Sequence, residues 1–254
     1  MPLTLATVPC LEDNYAFLIA NDAGEAALVD APEAAPINAE LEKRGWSLKT
    51  VLLTHHHWDH VEGLDSLTGR DDLTVIGAKA DEHRLPTLDH AYSDGDSFTL
   101  LGEEVQVFDV SGHTLGHIAF YLPASGLVFS GDSLMALGCG RLFEGSPELM
   151  HDSMNKFATL PETTLVCSGH EYTASNGRFA ATVDPDNKAL ALRNIETAKI
   201  RAQGGFTVPS TLALERATNP FLRANEPSIK SAIGLPNATD KESFTKLRAM
   251  KDAF

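Results

Sequence analysis

The sequence predicts an α/β protein whose strands and helices alternate over the first two thirds and give way to helices alone. Three observations carry this expectation. Short apolar runs bounded by turn residues recur as far as residue 167, helical stretches fall between them, and from about residue 173 the pattern becomes amphipathic helices with clear stops. Strands mixed with helices in this order predict two sheets, or one folded sheet, with helices outside. The strand candidates are 15–20, 26–29, 50–53, 73–76, 104–110, 118–122, 127–130 and 164–167. Helices are expected near 35–44, 60–68 and 147–159. Later, 187–203 ends at Gly204-Gly205, a natural helix stop, and Pro227 opens a short helix that Gly234 closes. Thr239 and Glu242 have capping-box spacing ahead of Phe244, Leu247 and Met250 on one face. The expected division is a domain over 1–172 and a smaller helical one over 173–254.

With 254 residues, 43% hydrophobic and 22% charged, the chain has the composition of a soluble globular protein. No apolar run approaches the roughly 18 residues of a membrane span, and the start lacks the basic flank and apolar segment of a signal peptide. Cys10, Cys139 and Cys167 are odd in number and far apart, which does not suggest a disulfide framework. The expected location is the cytoplasm, with no membrane partner. The net charge of −15 argues against a nucleic-acid partner. It is unevenly spread: residues 1–172 carry −19, and residues 173–254 carry +4. The basic tail suits an anionic substrate, although drift between two lobes would give the same imbalance.

The stretch from Thr54 to His60 concentrates the chemistry. His55, His57, Asp59 and the adjacent His60 form the pattern H-x-H-x-D-H directly after the apolar run Val51-Leu52-Leu53. Each such side chain needs desolvation and a partner if buried, and imidazoles and carboxylates are the usual ligands of zinc, iron or manganese. Three further donors follow strands in the same way: His113 after Ser111-Gly112, Asp132 after Ser130-Gly131, and His170 after Ser168-Gly169. A glycine before each lets the chain turn without a Cβ clash. Seven donors exceed one tetrahedral ion and suit two, with a carboxylate, Asp132 first among them, between the ions. Two such ions can hold a hydroxide, with the pKa of water lowered from about 15.7 towards 7.

The whole set, H-x-H-x-D-H with Gly112-His113-Thr114, Gly131-Asp132 and Gly169-His170, resembles the metallo-β-lactamase superfamily. More narrowly, the runs 131–145, 169–173, 219–223 and 248–254 are similar to the glyoxalase II (hydroxyacylglutathione hydrolase) family, and the match extends from Asp13 to the last residue. The resemblance implies an αββα sandwich with a smaller all-helical C-terminal domain. It implies two divalent metal ions, zinc first with iron or manganese accepted. His55, His57 and His113 would bind one, and Asp59, His60 and His170 the other, with Asp132 bridging.

It also implies that Arg141, Phe143, Tyr172, Arg248 and Lys251 bind the glutathione moiety of a thioester. Where some family members have lysine and tyrosine, this chain has Arg141 and Phe143, which keeps the cation and loses a hydroxyl. Read without the family, Arg248 would form an i,i+4 ion pair with Asp252 and Lys251 would be solvated. The implied reaction is attack by a metal-bridging hydroxide on S-D-lactoylglutathione, with Asp59 as a metal ligand that also orients the hydroxide. Its products would be D-lactate and glutathione, the second step of methylglyoxal detoxification, by a monomeric enzyme. His56 is expected to point away from the donors. His117 reads either as a neighbour of the metal ligands or as a hydrogen-bonded core histidine, and Asp30 either orients a ligand or shapes a turn. His83, His90 and His151 are expected at the surface, and Cys139 has no required role. The alternatives are a glutathione persulfide dioxygenase with a single iron, for which a complete donor set is superfluous, and a non-catalytic metal-binding protein, which should have lost donors.

Overall fold

The computed structural model describes residues 2–254. The chain forms two compact units that are not consecutive in sequence. One takes the chain up to Asp109 together with Leu115–Gly131; the other takes Val110–Thr114 together with Asp132–Phe254.

The first unit contains β1 (Thr4–Cys10), β2 (Asn14–Ala20), β3 (Glu25–Val29), α1 (Ala34–Arg44), β4 (Ser47–Leu52), α2 (Trp58–Val61), β5 (Thr74–Ala78) and β6 (His90–Tyr92). These strands lie side by side in chain order. The pairs β1–β2 and β2–β3 are antiparallel, and the pairs from β3 to β6 are parallel. Parallel neighbours need a crossover, which α1 supplies between β3 and β4. It stops at Gly45 (φ 67°), whose N–H caps the carbonyls of Leu41 and Glu42. A second ladder, β7 (Ser97–Leu100), β8 (Glu103–Asp109), β9 (Ile118–Leu122) and β10 (Leu127–Gly131), is an antiparallel meander. Every residue of β2 is buried, and Phe17 on it packs on Phe129 of β10 with ring centroids 5.7 Å apart. The two ladders therefore share a core. The helix expected over 60–68 is instead α2 and a single 3₁₀ turn at Leu64–Ser66. Gly63 lies against the backbone of Ala31 and Glu33 and donates its N–H to the Ala31 carbonyl, so the chain is tied down where a helix would continue.

The second unit contains β11 (Leu134–Met135), β12 (Gly138–Cys139), α3 (Pro147–Phe157), β13 (Leu165–Ser168), α4 (Thr173–Val183), α5 (Lys188–Ala202), β14 (Ser210–Thr211), α6 (Leu212–Thr218), α7 (Pro227–Ala232) and α8 (Asp240–Asp252). Ser146 and Asn187 cap α3 and α5, and Thr239 with Glu242 completes the expected capping box of α8. Phe179, Phe221 and Phe244 form an aromatic core, with centroids 6.1 and 5.5 Å apart along the series. Leu137, Ala180 and Leu190 pack in a smaller cluster. Two expectations are corrected here. The buried face of α8 continues from Phe244 and Leu247 through Arg248 rather than Met250, because position 248 lies one turn beyond 244. His151 is buried rather than exposed, since it falls on the inner face of α3 with its ring edge-on to Phe244 at 5.4 Å. His83 and His90 are exposed as expected. No helix among the described residues is long and apolar enough to cross a membrane.

Candidate metal centre

In the first unit, the donor loop leaves β4 and is organised by one buried carboxylate. Asp30, held in a left-handed conformation (φ 56°) at the end of β3, accepts the Thr54 N–H and hydroxyl, each at 2.8 Å, and pairs with His60 Nδ1 at 2.8 Å. The Thr54 hydroxyl, having given its proton to Asp30, accepts from His55 Nδ1 at 3.0 Å. These partners fix the proton on Nδ1 of both rings and leave each Nε2 lone pair available to a cation. His55 Nε2 and His57 Nδ1 converge to 3.1 Å, an approach that requires a shared proton or a common cation. Asp59 is gripped by Asn14, whose Nδ2 donates to its carbonyl at 3.0 Å and to Oδ2 at 3.1 Å. His56 turns away, to a buried Asp81 at 2.7 Å that Arg84 also holds. His117 meets both expectations at once: its Nδ1 bonds the Ile118 carbonyl at 3.1 Å, and its ring stacks on His55 at 4.6 Å.

In the second unit, Asp132 Oδ2 lies 3.2 Å from His170 Nε2 and 3.5 Å from His113 Nε2, and all three residues are buried. His113 Nδ1 donates to the Arg141 carbonyl at 2.7 Å, which again leaves Nε2 as the donor nitrogen. Gly112 (φ 149°) and Gly131 (φ 48°) use the conformational freedom expected of them. Tyr172 stacks on His170 at 4.8 Å, and Phe143 stands edge-on to His113 at 5.3 Å with the Arg141 guanidinium over its other side at 5.8 Å. Both aromatic rings are exposed.

Arg248 is buried and anchored through its two terminal nitrogens. Nη1 donates to the Cys139 carbonyl at 3.0 Å and Nη2 pairs with Asp252 at 2.8 Å, so the i,i+4 ion pair does form. Lys251 is half-buried between the rings of Phe179 and Phe254, at 5.5 and 5.3 Å. Burial, and then the positive charges of Arg248 and Arg178, hold its pKa below the usual 10.5. Cys139 is buried and its thiol is pushed up by desolvation, which leaves it protonated and unreactive. Sequence reading assigned no role to Asn14 or Asp81. Both are buried polar residues, but their partners in the donor loop, Asp59 and His56, lie 45 and 25 positions away, so no local pattern ties them to it.

Among the described residues, every group of His, Cys, Asp or Glu side chains suited to a metal ion is drawn from the seven predicted donors. All-nitrogen-and-oxygen donors of this kind suit divalent zinc, iron or manganese. Residues 11–170 match the family model described as metallo-beta-lactamase superfamily, and that is the class of fold this protein has. A solved structure of the BLEG-1 B3 metallo-beta-lactamase superposes with a TM-score of 0.67 at 23% identity, covering 86% of this chain and 99% of that one. Residues 171–254 match the model for the hydroxyacylglutathione hydrolase C-terminus. A hydroxyacylglutathione hydrolase from Ruegeria pomeroyi is 62% identical over the full length of both chains. The chain belongs to the hydroxyacylglutathione hydrolase (glyoxalase II) family. The structure of TTHA1623 in a di-iron-bound form is also similar, with a TM-score of 0.62 and 26% identity, covering 86% of this chain and 99% of that one. As a metallo-β-lactamase fold with this donor chemistry, the protein binds divalent metal.

Proposed function

We propose that this protein hydrolyses S-(2-hydroxyacyl)glutathione thioesters, S-D-lactoylglutathione among them, to a 2-hydroxy acid and glutathione, as the second step of methylglyoxal detoxification. The carrying observation is that a chain of this family combines seven buried or half-buried donors with a C-terminal helix bearing Arg248 and Lys251. That combination favours a thioester hydrolase over a persulfide dioxygenase. We further propose two ions, zinc before iron or manganese. His55, His57 and His113 would hold one, and Asp59, His60 and His170 the other, with Asp132 shared. The oriented nitrogens and the di-iron form of TTHA1623 support this count. When bound, such a pair supplies hydroxide near neutral pH and polarises a carbonyl.

The chain's own residues do the rest. Asn14 keeps the Asp59 carboxylate in place, where it orients the attacking water as well as binding metal. Arg141, Tyr172, Arg248 and Lys251 receive the glutathione moiety, and the Phe143 ring packs beside it. The leaving thiol has a pKa of about 8.5, so no strong general acid is needed. Residues 173–254 would act as the helical substrate-binding domain of a cytoplasmic monomer; sizing chromatography and cell fractionation test those two points.

The test is thiol release from S-D-lactoylglutathione by protein loaded with zinc, iron or manganese. Release that a chelator abolishes is expected; a protein carrying two ions that releases no thiol would sink the reading. Lys251→Ala should raise KM about ten- to a hundredfold with kcat nearly unchanged, as removal of one charge-assisted contact predicts. KM should also climb with pH below the usual 10.5, because the Lys251 ammonium is lost early. In the fold the charged form is the disfavoured one. Its cost to stability is therefore full below the lowered pKa and vanishes as pH passes 10.5. Lys251→Gln should flatten the KM profile over that range, and an unchanged profile would remove Lys251 from the binding site.

A further inference from the structure

A polar hub outside the donor set clamps the hairpin that follows Asp132. The ribbon β11–β12 has two residues per strand, and its turn places Leu137 in a left-handed conformation (φ 57°). So short a ribbon does not hold its shape alone, and here side chains from distant helices hold its tip. Glu215, fully buried on α6, accepts the Leu137 N–H at 2.9 Å. Asn219, at the end of α6, donates to the carbonyls of Met135 (3.0 Å) and Gly138 (2.9 Å). Asn176 on α4 donates to the Ala136 carbonyl at 3.0 Å. Glu215 is in turn fixed by Arg193 and the Ser210 hydroxyl, and Arg193 by the Thr218 hydroxyl at 2.6 Å.

The other end of the ribbon is the metal side. Pairing of Leu134 with Cys139 continues as a bond from the Gly140 N–H to the Ser133 carbonyl at 3.0 Å. Gly140 is so close to Asp132 that a Cβ there would overlap the Asp132 carbonyl. Next along the chain, the Arg141 carbonyl orients His113, while that of Cys139 holds Arg248. The ribbon thus carries at its base a carboxylate donor, the group that fixes an imidazole donor, and the anchor of a substrate cation. A side chain that fixes the ribbon's register at the tip fixes all three.

We propose that Glu215 and Asn219 are positioning residues of the metal centre, acting through the 134–139 hairpin on Asp132 and His113. This rests on the reading of Asp132 and His113 as metal donors. Outer partners of metal ligands typically contribute about 10–100-fold in affinity. Asn219→Ala is therefore expected to weaken zinc binding about tenfold or more in chelator competition. It should also lower kcat in a way that excess zinc partly restores, and broaden or shift the His113 Nδ1 proton signal in the metal-free protein. Asn219→Ser, which keeps one donor, should fall between the variant and the parent. Val183→Ala, which removes a buried apolar side chain of α4 and none of the hub's hydrogen bonds, is the control for a general loss of stability. It should lower Tm while leaving zinc affinity and the His113 signal unchanged.

Should Asn219→Ala prove too unstable to purify, Asn219→Ser carries the same comparison. If the Asn219 variants lose Tm as Val183→Ala does but bind zinc as tightly as the parent, with His113 undisturbed, the hub is structural only and the proposal falls. Failure of the underlying reading looks different: the parent protein itself would then bind no zinc at these donors, and Asp132→Ala would change nothing.

Discussion

Asp132→Ala is expected to cost more catalytic efficiency than any other single substitution in this chain. The carboxylate lies 3.2 Å from one imidazole nitrogen and 3.5 Å from another, so its loss leaves two buried histidines facing each other with no anion between them. On the proposed two-ion reading, two cations could not approach one another there without it, because their mutual repulsion is then unshielded. Loss of a partner that merely orients a ligand costs about 10–100-fold, and loss of a carboxylate proposed to serve both ions should exceed that range in kcat/KM. The bound-metal content should fall with it, and added zinc should not restore activity. Asp132→Asn keeps the shape and an acceptor oxygen but not the charge, and should lie between. Metal analysis beside thiol-release kinetics on folded protein checks this. Unchanged metal content in Asp132→Ala would remove Asp132 from the donor set.

Glu215→Leu is expected to give the largest loss of stability. Glu215 is fully buried and Arg193 nearly so. Removing the carboxylate strands the guanidinium in a low-dielectric interior, along with the Leu137 N–H and the Ser210 hydroxyl. Breaking a buried pair in this way costs about 3–5 kcal/mol, and at roughly 2–4 °C per kcal/mol for a chain of this size Tm should drop by about 6–20 °C. The double variant Glu215→Leu with Arg193→Met should recover part of that loss, since replacing both charges by apolar groups avoids the stranded cation. Thermal unfolding of the two proteins decides it: a double variant no more stable than the single one would show that the pair's charges are not what matters.

The legible parts of the sequence were those written locally. H-x-H-x-D-H fits in six residues at the end of an apolar run, each glycine-plus-donor pair lies at or shortly past the end of a strand, and the capping box of α8 needs only Thr239 and Glu242. Elements whose reason lies elsewhere in the chain stayed hidden. The strand β1 contains Pro9, which argues against a central strand and is tolerated here because β1 is the first strand in its sheet order. The helix α4 contains Gly177, a poor helix former, kept because a Cβ there would strike Asn194 of α5. The ribbon β11–β12 is too short to show any period. Asn176, Glu215 and Asn219 look like ordinary polar residues until the backbone groups 40 to 84 positions back are seen beside them.

That long separation also sets a timetable for the newly made chain. Asn219 leaves the ribosome 82 residues after Leu137, and Arg248 leaves 109 residues after Cys139. At about 5–20 residues per second, roughly 4–16 s pass before the turn meets its clamp, and longer before the thiol is covered. A nascent chain is therefore expected to show Cys139 to oxidants that the finished protein shuts out. Thiol labelling of chains stalled before and after residue 248 would show the window closing, and equal labelling at both lengths would deny it.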